Sequence, residues 1–129
     1  MLGYITLGAN DLAAANAFYS ELLGSIGGKV LMKFGDDFTM YGNDMGHAGI
    51  AIAKPYNGEP ARAGNGNMAA IVVLERPQVD AFYAKAIALG GSCEGPPGLR
   101  GDEGPQAFYA AYFRDPEGNK LCAFRMGPA

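Results

Sequence analysis

Asn16-Ala17-Phe18-Tyr19 and Asp80-Ala81-Phe82-Tyr83 stand 64 residues apart (16 to 80) in a chain of 129. The same step takes Tyr4 to Met68, Leu7 to Ile71, Leu23 to Ile87 and Gly27 to Gly91. Three shared letters arise easily by chance. One step that carries a strand, a helix and its glycine terminator together points to a duplicated module, since self-similarity at a fixed period marks a repeated structural unit.

Around each Phe-Tyr pair the pattern is that of an amphipathic helix. Leu12, Ala15, Phe18, Tyr19, Leu22, Leu23 and Ile26 recur at three- and four-residue intervals, as do Val79, Phe82, Tyr83, Ala86, Ile87 and Leu89. Asn10 or Asp11 can cap the first helix by accepting a bond from a free first-turn amide. Pro77 suits the first turn of the second, where its missing N–H costs nothing. Gly27-Gly28 and Gly90-Gly91 are the stops. A β-favouring run precedes each helix, at residues 2–7 and 68–74. Strand-like pieces follow: 29–34, 37–41 and 47–53, then a short piece at 92–94, 107–114 and 120–125. Asp115-Pro116-Glu117-Gly118-Asn119 is a turn sequence joining the last two. The order is β-α-β-β-β, twice, with module one at about 1–60 and module two at about 65–129 of a single domain. Residues 54–67 and the Gly/Pro-rich 95–106 read as long loops able to rim a site.

Composition narrows the function. The length suits one domain, and 49% hydrophobic residues suit a packed core. No apolar run approaches the ~20 residues that span a bilayer. A net charge of −3 without a basic cluster speaks against nucleic acid. The N-terminus reads as a strand and not as a secretory signal, and Cys93 and Cys122 are too few for a disulfide framework. A cytoplasmic protein is expected. There is one histidine, His47, so a mechanism needing two in one chain is excluded.

Two β-α-β-β-β modules, the start Tyr4-Ile5-Thr6-Leu7-Gly8-Ala9-Asn10-Asp11-Leu12, the pair Phe18-Tyr19 and the turn Asp115–Asn119 together resemble the vicinal oxygen chelate superfamily. That group contains glyoxalase I, bleomycin-resistance proteins, fosfomycin-resistance enzymes and extradiol dioxygenases. The resemblance covers essentially the whole chain. It implies an α+β fold in which the modules form a curled mixed sheet around a cleft, with helices outside, and it implies a homodimer. Catalytic members hold a divalent metal with donors from the first and last strand of each module. The corresponding positions here fall on Tyr4, Met68, Cys122 and Ile50, or Ile52 if the register slips. A phenol, a thioether, a thiol and an alkane are not donors for zinc, nickel, magnesium, manganese or iron. Sulfur would suit only a soft ion such as Cu(I), and no spaced Cys or Met motif supports one. His47 matches no ligand position.

The expectation is therefore no metal and no cofactor, with a small-molecule ligand held where relatives hold the ion. Tyr4, Met68, Tyr112, Cys122 and Ile50 are the candidate ligand-binding residues. Tyr112 stands three residues before Asp115, where fosfomycin-resistance members place a tyrosine that touches substrate. If the 115–119 hairpin is tight, Tyr112 and Cys122 also share a sheet face. Packing alone could account for Tyr4, Met68 and Cys122, since Met and Cys are often buried. Nothing near Cys122 lowers its pKa toward a nucleophilic thiolate. Arg100 is either a solvated loop charge or a contact for an anion; Asp115 and Asn119 read as turn residues. The alternative is a glyoxalase-like lyase or isomerase, for which no base and orienting partner are visible.

Overall fold

A computed structural model describes residues 1–129. The elements are β1 (Tyr4–Gly8), α1 (Leu12–Gly24), β2 (Lys29–Phe34), β3 (Phe38–Gly42), β4 (Gly49–Ala53), β5 (Ala69–Val72), α2 (Arg76–Ala88), β6 (Ser92–Leu99), β7 (Phe108–Arg114) and β8 (Lys120–Met126). The strands form two mixed four-stranded sheets, β1-β4-β3-β2 and β5-β8-β7-β6. In each, the first strand of the module is an edge strand paired in parallel with the last, and the rest pair antiparallel. The chain divides into two compact units, Met1–Asn65 and Gly66–Ala129. No helix is long and apolar enough to cross a membrane.

The helices keep the 64-residue step at both ends, 12 to 76 and 24 to 88. Their start signals differ. Asp11 is the cap of α1, its Oδ1 accepting from Ala14 N at 3.0 Å. Asn10, the other candidate, is spent elsewhere: it accepts from Ala61 N at 2.7 Å and donates to Ala61 O at 3.1 Å, fastening the 54–67 segment. In α2, Gln78 Oε1 accepts from Leu74 N and Glu75 N, both at 2.9 Å. At the helix stops the repeat slips by one. Gly27 and Gly90 hold positive φ of 85° and 106°, and Gly28 N and Gly91 N close the last turns onto Leu23 O and Ala86 O. The structural counterpart of Gly27 is thus Gly90, 63 residues on, and not Gly91.

Strand alternation sends one face of each sheet under its helix. In the first unit Tyr41 reaches α1, its hydroxyl donating to Asn16 Oδ1 at 2.7 Å, and Phe18, Tyr19, Leu22 and Leu23 are buried on the helix side. In the second unit Phe113 meets Phe82 of α2 with ring centroids 6.0 Å apart, and the Tyr109 hydroxyl donates to Asp80 at 2.7 Å. Phe82, Phe113 and Leu121 are at most 1% exposed. The hairpin between β7 and β8 is held by Asp115, whose Oδ1 accepts from the amides of Glu117 and Asn119 at 2.9 Å each and whose Oδ2 accepts from Asn119 Nδ2 at 3.0 Å.

One expected boundary is corrected. The Gly/Pro-rich stretch from Gly95 is not a loop as far as Leu99: β6 runs through it. Proline fits because β6 is an edge strand and its pairing with β7 skips, from Cys93 to Gly95 and from Gly95 to Gly98, leaving Pro96 and Pro97 outside the ladder.

Removing the ring that fills the α2 side of the second sheet has a definite cost. Phe113→Ala is expected to destabilise the fold by about 3–5 kcal/mol through lost burial and a residual cavity. Urea unfolding followed by circular dichroism reads this, and a loss below about 1 kcal/mol would mean that Phe113 is not a core residue.

Candidate binding face

The side of the second sheet turned away from α2 is set by the same alternation. Tyr112 pairs with Cys122, and Cys122 with Ala70. Ala110 pairs with Phe124, Phe124 with Val72, and Phe108 with Met126. Each of these alternates with the residues under the helix, so all lie on the uncovered face. Met68 precedes β5 by one residue and falls on the Ala70 side if the alternation continues. The expected sharing of a face by Tyr112 and Cys122 holds.

Tyr112 is the most elaborated of these side chains. Burial raises its pKa, with the field of the neighbouring Cys122 adding to the rise. The Arg100 guanidinium carbon lies 5.4 Å from its ring centroid and Lys120 Nζ lies 5.6 Å from it. Cation–ring contacts of this kind contribute up to about 1 kcal/mol at a wet site. Arg100 is not a freely solvated loop charge. Its guanidinium donates to Pro96 O at 2.6 Å and to Gly98 O at 2.9 Å, holding it against the skipped segment of β6. That leaves further guanidinium N–H groups beyond those two bonds.

Cys122 is 1% exposed and burial raises its thiol pKa, against smaller opposing effects of Tyr112, Arg100 and Lys120. The burial and the raised pKa both favour the protonated thiol over a thiolate. Cys93 pairs with Phe113 and so belongs to the opposite side, two strands away; both cysteines are free. Met68 is 45% exposed, Val72 67% and Met126 53%.

In the first unit, Tyr4 lies on the face away from α1, and its ring meets Phe38 edge-on at 5.8 Å. It is 48% exposed, so burial in the core does not by itself account for a tyrosine at this position. Ile50 pairs with Tyr41, and Ile52 with Thr39, which puts both on the α1 side, opposite Tyr4. Gly49 and Ala51 stand across from Tyr4 and Thr6. His47 Nδ1 lies 2.8 Å from Asp44 Oδ1 at an exposed turn, and this bond lowers the Asp44 pKa. A pocket of about 550 Å³ in this unit is bordered by Asn10, Asp11, Asp37, Lys54 and Glu59 under the 54–67 segment, and contains none of the candidate residues.

The residues at the metal-ligand positions do not fit a divalent ion. Ile50 has no donor atom, Met68 and Cys122 offer sulfur, and nowhere do three or more His, Cys, Asp or Glu side chains gather so as to hold a metal.

A family model described as Glyoxalase/Bleomycin resistance protein/Dioxygenase superfamily matches residues 1–123. Among solved structures, a glyoxalase/bleomycin resistance protein from Albidiferax ferrireducens T118 is 38% identical, with 97% of this chain and 98% of that one covered and a TM-score of 0.84. A glyoxalase/bleomycin resistance protein/dioxygenase family enzyme from Burkholderia phytofirmans PsJN is 21% identical (95% and 96% covered, TM-score 0.73). A lactoylglutathione lyase from Agrobacterium tumefaciens is 20% identical (97% and 92% covered, TM-score 0.65). These last two share the fold. Comparison with curated proteins gives no match.

The two thiols are expected to separate cleanly on alkylation. Native protein treated with iodoacetamide at neutral pH should take one adduct, mapped to Cys93 by mass spectrometry, and a second at Cys122 only in denaturant. Equal labelling of both under native conditions contradicts the buried, proton-retaining Cys122.

Proposed function

We propose that this chain, which belongs to the Glyoxalase/Bleomycin resistance protein/Dioxygenase superfamily, binds a small organic molecule without the help of a metal ion. The reading rests on one observation. The uncovered face of the second sheet carries a tyrosine between two cations, with apolar side chains left exposed beside it. Phenol and alkyl side chains around a few directional polar groups are the ordinary furnishing of a small-molecule site. Tyr112 and Met68 supply contact area, and Cys122 closes the floor. Tyr4 and Phe38 give the first sheet an aromatic pair on its own uncovered face.

The chemistry of the donor set supports binding over metal-assisted catalysis. A lyase or isomerase of the metal-dependent kind polarises a carbonyl with the ion and moves protons with a carboxylate. Cys122 stands where that carboxylate would be, and its raised pKa suits neither role. Elemental analysis of protein purified without chelator is expected to find no stoichiometric zinc, nickel or iron. One divalent ion per chain, lost on chelation together with ligand binding or turnover, overturns the proposal.

The proposal extends to a homodimer. Phe34 and Leu74 are 64% and 80% exposed, more large apolar surface than a lone small chain comfortably shows to water. Light scattering should give twice the 13.5 kDa chain mass; a single-chain mass at working concentration refutes this part.

A further inference from the structure

The charge on the face that carries Tyr112 is opposite in sign to that of the chain. Arg114 pairs with Lys120 across the β7–β8 ladder, on the same side as Tyr112, and Arg100 lies over the Tyr112 ring. Arg114 Nε bonds Glu94 Oε1 at 2.6 Å, and that bond, with the nearby charge of Lys120 adding to it, lowers the Glu94 pKa. Arg100 spends its bonds on the carbonyls of Pro96 and Gly98, and the Lys120 ammonium has the Tyr112 ring as its neighbour. A chain of net charge −3 thus presents, at one end of one sheet face, three cations around a single carboxylate, Glu94. Holding them there has a cost in mutual repulsion that an anionic guest would remove.

The other end of the same face is apolar. Phe108 and Phe124 pack with ring centroids 5.3 Å apart, flanked by the exposed Val72 and Met126. From the Tyr112–Cys122 rung to the Phe108–Met126 rung is four residues, roughly 13 Å at about 3.3 Å per residue. Head and tail are therefore distinct and aligned along the strands. Resting on the binding reading above, we infer that the ligand is an amphipathic organic anion. Its charged end lies at Arg100 and Lys120 beside the Tyr112 hydroxyl, and its apolar body lies along Phe124, Phe108, Val72 and Met126. The Arg100 position makes the site selective: a guanidinium fixed by two backbone carbonyls keeps its remaining N–H groups pointed, where a free lysine would have to be ordered on binding.

The test is calorimetric titration of the full chain with octanoate, octan-1-ol and octyltrimethylammonium, which share a tail and differ in head. Octanoate is expected to bind roughly tenfold tighter than octanol, the size of one charge-assisted hydrogen bond, with the cation weakest and the preference shrinking as salt is added. The octanoate-to-octanol ratio should fall to about threefold in Lys120→Gln and to about one in Arg100→Gln/Lys120→Gln. Lys120→Gln changes only a surface head group, so its result stands even where the double variant loosens β6. Octanol binding as tightly as octanoate overturns the anion assignment and leaves the binding reading intact. An undiminished preference in the double variant overturns the residues assigned. Absence of binding by all three probes overturns both readings.

Discussion

The two-residue period of β7 and β8 governs the second unit. Phe113, Leu121 and Ala111 go under α2, and Tyr112, Cys122 and Ala110 cannot then do so. A shift of one residue would bury Tyr112 against Phe82 and turn Phe113 to water, so the buried ring pair fixes the register. The Asp115 carboxylate guards that register from the turn by satisfying the amides of Glu117 and Asn119. What stands on the uncovered face is a consequence of what the core demands. Cys122 is one rung-mate of Tyr112 and lies sealed beneath it, while the cations at Arg100 and Lys120 reach the ring from an edge strand and from the hairpin end.

Much of this architecture was legible in the chain because it is written in short-range pattern. The Phe-Tyr pairs at 18–19 and 82–83 marked both helices, and the 64-residue step reproduces their limits. The strand at 29–34 and the Asp115–Asn119 turn came from alternation and turn chemistry alone. Legibility failed where partners distant in sequence decide. Pro96 and Pro97 look like loop residues until β7 is seen to pair around them. Asn10 looks like a cap until its amide is found on Ala61, 51 residues away. The left-handed glycine comes three residues past the end of α1 but two past the end of α2, which no periodicity announces.

The candidate site was legible in part, for a related reason. The pairing of Tyr112 with Cys122 follows from a tight hairpin, and the burial of Cys122 from its mid-strand place. Ile50 was placed by motif alignment, and alternation sets it on the helix side of its strand instead, beside Tyr41. Tyr4, which packing alone could have explained, is half exposed. Arg100 carried no local signal of order, because what fixes its guanidinium is the irregular run of β6, visible only once the edge strand is built. Nor did net charge disclose the local excess of cations, since a sum over the chain hides its distribution.

That the uncovered face of the second sheet is where a guest is held is the centre of this account. Side-chain NMR of protein titrated with octanoate tests it directly. The account predicts shifts at Tyr112, Phe124, Val72 and Met126 that saturate together, with Phe82, Phe113 and Leu121 on the α2 side unmoved. Saturable shifts confined to the α2 side, or to the pocket bordered by Asp37 and Lys54, would contradict it.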